Sequence, residues 1–310
     1  MQIIEKTLDF ELQQKSAIAI GKFDGIHMGH QMIINEILEQ KKYGMQAVIF
    51  TFEPSPQVLF GHGDEKQLMT KEEKRALFEQ MGIDVLFEFP LTRETATFPP
   101  KAFIEEILVD KMKAGLIAAG TDLSFGDKGK GNCQLLRAMQ EQFGYKVVIL
   151  DKICRGNDVI SSTLIRNKIE NGEMEEAQEL MGRPYEISGI VEPGKQIGRT
   201  ISFPTLNLFP PKEKCLPPSG VYFSEISFQG EKLYGITNVG IRPTVSDTGR
   251  ISVETYVFDF DREIYGEHIT VKMLHHTRPE YKFDSVEKLK QQLELDKIEG
   301  DRYFLNEKKY

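Results

Sequence analysis

Two textures follow one another in this chain, and the change between them constrains the fold more than any single motif. Up to about residue 180, short apolar runs alternate with amphipathic segments: SAIAI at 16–20, MQAVIFTF at 45–52, IDVLFEF at 83–89, AGLIAAG at 114–120 and YKVVIL at 145–150. Runs of that length and composition predict buried strands. Between them the pattern predicts helices over 29–42, 71–81, 101–113 and 132–143. The second opens on Thr70 and Glu73 at capping-box spacing, and the last two close on Gly115 and Gly144. Strands alternating with helices make an α/β doubly wound parallel sheet. In such sheets ligands lie beyond the carboxyl ends of the strands, so the turn after the first run is the first place to look.

After a charged helix near 173–181 the alternation stops. YEISGIVE, GVYFSEISF, KLYGITNVG, ISVETYVFDF and HITVKMLHH follow one another with only glycine, proline or charge between them. That spacing predicts a small antiparallel β-barrel or sandwich, with a C-terminal helix from about Asp284 to Leu295 packed against it. The expected domains are therefore 1–182 and 183–310, and a length of 310 residues suits two domains with a core each.

Charge narrows the partners. Thirty-nine basic against 47 acidic residues leave a net charge of −8, and neither half is basic, so nucleic acid is not the expected partner. No apolar run reaches the roughly 20 residues that span a bilayer, so no membrane partner is expected. Cys133, Cys154 and Cys215 are widely spaced and form no C-x-x-C pair, which fits a reducing cytoplasm. Nothing in the sequence indicates an oligomeric state.

The loop after the first buried run reads GKFDGIHMGH, residues 21–30, and leads directly into a helix. Glycines let a backbone approach a ligand, and free amides with the helix dipole favour an anion, so phosphate is the natural guest. His27 and His30, three apart, share a helical face and could steady charge on a phosphorus under attack. Alone, the motif also fits two surface histidines in a glycine turn, or a weak metal set with Asp24. ISSTLIR at 160–166 adds a second element: a helix start in which Ser162 and Arg166 lie one turn apart, offering a hydroxyl and a guanidinium fork.

GKFDGIHMGHQ, ISSTLIR and FTFEPSP at 50–56 together resemble the adenylyltransferase half of the bacterial bifunctional riboflavin kinase and FAD synthetase family, whose fold is nucleotidyltransferase-like. The resemblance implies that His27, His30 and Arg166 serve catalysis. It also implies that Gly21, Phe23, Asp24, Gly29, Ser162 and Thr163 bind ATP, and that Asp122 contacts flavin phosphate or nucleotide. Two positions depart from the family: Lys22 stands where asparagine is usual, and Ser124 where arginine is frequent.

In the second half no G-x-x-x-x-G-K-[ST] occurs, which excludes a Walker-type kinase. GKQIGRTISFPTLNL at 194–208 instead offers Gly194, Lys195, Gly198 and Arg199 as a basic loop able to cover phosphates. Thr205 and Asn207, two apart on an extended segment, face the same way with oxygen donors suited to Mg2+. Further on, Ser252, Glu254, Tyr256 and Phe258 share one strand face, where Glu254 could accept a hydroxyl proton. These segments resemble the riboflavin kinase module, with NVGIRPT, IYGEHITV and TRPEYKF following in order. The resemblance implies Mg2+ and ATP at Thr205 and Asn207, Glu254 as the base and Arg278 on the flavin; Ser202 replaces a usual glycine. Riboflavin, FMN and ATP are the expected small-molecule substrates. The alternative, suggested by Lys22 and Ser202, is a flavin-binding regulatory protein without turnover.

Overall fold

The computed structural model describes residues 1–61, 66–194, 203–242 and 250–307. Their contacts divide the chain into two units, Met1–Ser162 and Thr163–Tyr310. The helices Ser162–Glu170 and Met174–Met181 fall almost wholly on the second unit's side, ahead of the boundary expected near 182.

The first unit is a six-stranded parallel sheet of order β1-β4-β3-β2-β5-β6, with β1 Gln2–Glu5, β2 Ser16–Ile20, β3 Gln46–Glu53, β4 Val85–Pro90, β5 Ala114–Gly120 and β6 Lys146–Leu150. All five predicted strands are present, and β1 is an addition at the edge. Every residue of β2 is buried, as a strand covered on both faces must be, and such strands read as unbroken apolar runs. Phe50, Phe87, Phe89 and Phe103 pack edge to face at 5.2–6.1 Å in the core beneath. The strand order reverses at β2: successive crossovers run to β3 and β4 on one side, then return to β5 on the other. The switch point is therefore the gap between the carboxyl ends of β2 and β5, where Gly21 and Gly120 stand.

Three helices of this unit keep to their expected places. Met28–Glu39 is followed by a single 3-10 turn, Gln40–Tyr43. Lys71–Gln80 starts on the full Thr70–Glu73 capping box. Cys133–Phe143 is capped by Asn132, whose side chain accepts from Leu135 N, and stops at left-handed Gly144. The 101–113 segment differs, because Phe103–Lys111 winds as a π-helix. Its turn into β5 is made by Lys113 at φ 54° rather than by Gly115, which lies inside the strand. There Gly115 packs against Met45, whose methyl would stand 3.2 Å from a Cβ at this position.

After a short hairpin, β7 Cys154–Arg155 and β8 Asp158–Val159, the second unit forms an antiparallel sheet of order β10-β13-β12-β11-β14-β9. Its strands are β9 Tyr185–Ile190, β10 Thr205–Leu208, β11 Gly220–Phe228, β12 Glu231–Arg242, β13 Arg250–Val257 and β14 His268–Pro279. Just beyond β9, Glu192 N donates to Asn207 O of β10 at 2.9 Å, which brings the two edges together and curls the sheet into the expected small barrel. Val239, Val253, Thr255 and Val257 point inward and are buried. The polar groups among them are satisfied by one another, Ser224 Oγ to Thr237 Oγ1 at 2.6 Å and on to Thr255 Oγ1 at 2.9 Å.

The C-terminal helix, Val286–Glu307, runs well past Leu295. It lies against the outer face of the sheet, with the Phe304 ring packed at a tilt on Tyr234 and Phe223 and edge-on against Phe258. Gly300, which reads as a helix breaker, sits at the closest approach, where a Cβ would be 2.8 Å from the Phe258 ring. Arg278 of β14 and Asp296 of the helix form a two-point ion pair at 3.0 and 2.6 Å with both side chains largely buried.

Candidate functional sites

The first candidate site stands at the switch point of the parallel sheet. The loop from Gly21 to His27 is strained: Phe23, Gly25 and Ile26 all have positive φ, at 51°, 80° and 40°. A β-branched residue in that region costs on the order of 1–3 kcal/mol and persists only where its surroundings enforce it. Here they do. Asp24 accepts from Leu68 N at 2.9 Å and Met69 N at 3.3 Å, and Ser162 Oγ donates to Asp24 O at 2.8 Å. Gln31 Nε2 donates to Ile26 O at 3.0 Å, and Phe23 is fully buried between Phe78 and His30. The Phe23 ring and the Asp24 carboxylate, expected on ATP, are thus engaged in holding the loop.

That loop delivers the two histidines as a pair. His27 is the extended residue before the Met28–Glu39 helix, and its ring lies parallel to that of His30 with centroids 3.7 Å apart. Gly29 makes room, since a Cβ there would stand 3.2 Å from His27 Cε1. The helix has no acidic residue in its first turn, so its N-terminal partial charge is left for an anion. Gly21 similarly clears the Phe23 ring, 3.1 Å from where a Cβ would be.

The remaining expected residues of this site are placed as follows. Ser162 begins its helix and is fastened to Asp24, Thr163 is exposed, and Arg166 lies buried one turn further along. Asp122 is exposed and pairs with Lys152 at 3.0 Å. Exposed Lys22 presents its backbone rather than its side chain to the loop, its carbonyl accepting from Thr51 Oγ1 at 3.2 Å and lying 3.4 Å from Lys74 Nζ. Sequence reasoning missed Thr51 and Lys74, whose part depends on how the Lys71–Gln80 helix docks. Among the described residues no group of three or more His, Cys, Asp or Glu side chains could hold a metal, so the reading of Asp24, His27 and His30 as a metal set has no support.

The second candidate site lies on the outer face of the barrel. Asn207 of β10 pairs directly with Glu254 of β13, and Glu254 with Asn238 of β12. Residues directly opposite share a face, so an amide, a carboxylate and a second amide stand in a row across three strands. Ser252 Oγ donates to Glu254 Oε1 at 3.1 Å. Asn207 is buried and its Nδ2 donates to Thr205 O at 3.1 Å, which makes Oδ1 the atom with the chemistry for a cation. A threonine hydroxyl and an amide oxygen fit the neutral share of a Mg2+ shell whose charge balance comes from phosphates. Asn238 was not expected here; only register reveals it. The Glu280 carboxylate lies over Gly240, where a Cβ would come within 2.9 Å of it and 3.1 Å of Asn238 Nδ2. Arg278, expected on flavin, spends its fork on Asp296. Gly194 is described, whereas Lys195, Gly198, Arg199 and Ser202 lie outside the described residues.

Comparison with known proteins decides the family. Residues 9–164 match the FAD synthetase family model and residues 181–304 the riboflavin kinase family model. The chain belongs to the bifunctional riboflavin kinase/FMN adenylyltransferase family. The bifunctional enzyme of Listeria monocytogenes is 37% identical over 292 residues, covering 93% of this chain and 92% of that one. That of Bacillus subtilis is 36% identical, with 96% of each chain covered. A Streptococcus pneumoniae crystal structure described as a macrolide-efflux protein superposes with a TM-score of 0.83 at 31% identity, over 95% of this chain and 96% of that one. No helix among the described residues here is long and apolar enough to cross a membrane.

Proposed function

We propose that this chain makes FAD from riboflavin in two steps, each at its own site: a kinase step in residues 183–310 and an adenylyl transfer in residues 1–182. The observation that supports the reading is the register of Asn207 against Glu254, an amide opposite a carboxylate on the barrel half, while the paired histidines lie in the other half.

In the kinase step the 5′-hydroxyl of riboflavin attacks the γ-phosphorus of ATP and ADP leaves. Glu254, steadied by Ser252 Oγ, takes the hydroxyl proton. Thr205 and Asn207 hold Mg2+, which supplies charge neutralisation on the phosphates. Gly194, Lys195, Gly198 and Arg199 cover them. The product is FMN.

In the second step a phosphate oxygen of FMN attacks the α-phosphorus of another ATP and pyrophosphate leaves, with no covalent enzyme intermediate. His27, His30, Arg166 and the amides at the start of the Met28–Glu39 helix stabilise the charge that builds on the phosphorus oxygens. Gly21 and Gly29 let the phosphates approach the backbone, while Ser162 and Thr163 close the nucleotide's far side. Phe23 and Asp24 keep the loop in shape. The three free cysteines fit a cytoplasmic enzyme.

Incubation with ATP, Mg2+ and riboflavin, followed by chromatography, tests this reading. FMN followed by FAD is expected, and FAD alone when FMN replaces riboflavin. Riboflavin recovered bound but unchanged would make the chain a flavin-binding regulator.

A further inference from the structure

We propose that Lys74 is a positioning residue of the adenylyl-transfer centre, holding the Lys22 carbonyl and setting a fixed positive charge behind the loop that carries His27 and His30. The inference rests on the functional reading above and adds to it a residue from outside the recognised motifs.

Lys74 belongs to the first turn of the Lys71–Gln80 helix, whose capping box fixes that turn at the carboxyl edge of the sheet. From there its Nζ reaches Lys22 O at 3.4 Å, sharing that acceptor with Thr51 Oγ1. The carbonyl belongs to the residue directly before strained Phe23. Four other contacts fasten the loop: the Asp24 carboxylate on two amides, Ser162 on Asp24 O, Gln31 on Ile26 O, and Phe23 in its aromatic socket. None of them brings a cation. Thr51 already serves the carbonyl as a neutral donor, so the geometry alone does not call for an ammonium.

The charges around it support an electrostatic role. Lys71 and Arg75, on the same helix, are both taken up by Glu5 and Glu88 in ion pairs of 2.6–3.0 Å. Lys74 is not part of that network. It faces Asp24 on the loop, Glu53 at the end of β3, Glu88 on β4, and Lys71 on its own helix. Burial outweighs the three carboxylates and pushes the amine below the ordinary lysine value. When protonated, the amine beside a loop built for phosphates raises the potential where the triphosphate and the FMN phosphate meet. Its proton leaves at a lower pH than an ordinary lysine's, so the charge is lost sooner as pH rises.

The test uses the full chain with Lys74→Met and Lys74→Arg, assaying FAD formation from FMN against pH and FMN formation from riboflavin as the folding control. Lys74→Met is expected to lower kcat for adenylyl transfer by about tenfold or more, with smaller changes in KM, and to leave FMN formation intact. Lys74→Arg keeps the neutral-pH rate and loses the alkaline fall of the wild type, because a guanidinium does not deprotonate there. If Lys74→Met loses both activities through misfolding, the Lys74→Arg profile decides. An unchanged alkaline limb in Lys74→Arg, or a Lys74→Met chain within about twofold of wild type, overturns the inference. A wild type that makes no FAD from FMN overturns the functional reading and this inference with it, whereas an active enzyme indifferent to Lys74 overturns the inference alone.

Discussion

Replacing Arg278 by methionine separates two roles for that residue. The resemblance puts it on the flavin, yet in the folded chain its Nε and Nη2 lie 3.0 and 2.6 Å from the two oxygens of Asp296, a residue only 3% exposed. Methionine keeps the apolar stem but leaves that carboxylate with Gln292 Nε2, at 2.8 Å, as its remaining donor. Stripping one partner from a buried ion pair costs about 3–5 kcal/mol. Residues 163–310 make a unit of a size for which 1 kcal/mol moves Tm by about 3 °C, so its melting should fall by roughly 10 °C. Differential scanning calorimetry of the full chain reads this as a shift in one transition, with FMN formation falling as the helix loosens and adenylyl transfer from supplied FMN preserved. An unchanged melting profile with FMN formation abolished would refute the anchoring argument and return Arg278 to the flavin.

Three other outcomes follow from the geometry. Gly29→Ala puts a Cβ 3.2 Å from His27 Cε1, displacing the ring from its stack on His30; steady-state assays should show adenylyl transfer down by about tenfold or more with the kinase step unaffected. The carboxyl of Glu5 is held down to about 2 by Lys71 and Arg75. At Glu88 burial pushes upward, but the hydrogen bonds from Arg75 and Lys71 outweigh it and the carboxyl is also lowered. Groups lowered on folding stabilise above their ordinary pKa of 4.5 and lose that contribution as pH falls from there toward 2. Acid titration followed by circular dichroism should thus show Glu88→Gln depending less on pH below 4.5 than wild type. Asn207→Ala should raise the Mg2+ concentration needed for half-maximal FMN formation, and chelation with EDTA should stop that step in both proteins.

Strands β2 to β5 were legible because a parallel sheet covered on both sides demands continuous apolar runs; β6 was found by the same kind of run, but as an edge strand it is only half-buried rather than buried as expected. The four residues of β1 were not: QIIE buries only Ile4 fully and takes its place by pairing with β4. The Thr205–Leu208 strand was too short to announce itself beyond its two like-facing residues. Apolar spacing at 101–113 marks a helix but does not distinguish a π ladder from an α one, and the turn at Lys113 left no glycine to mark it. The C-terminal helix continues past Leu295 to Glu307, with Gly300 packed against Phe258. At the sites, the histidines could be found because loop, glycine and helix start are contiguous. Asn238 and Lys74 could not, since strand register and helix docking bring them to their places across 16 and 52 residues from Glu254 and Lys22.

The most direct measurement is the pair of rates for Glu254→Gln, one from riboflavin to FMN and one from FMN to FAD, taken on the same preparation. Loss of the base should slow the first by about 100- to 10,000-fold and leave the second within experimental error of wild type. Equal loss of both rates would contradict the claim that two independent centres on one polypeptide share the flavin.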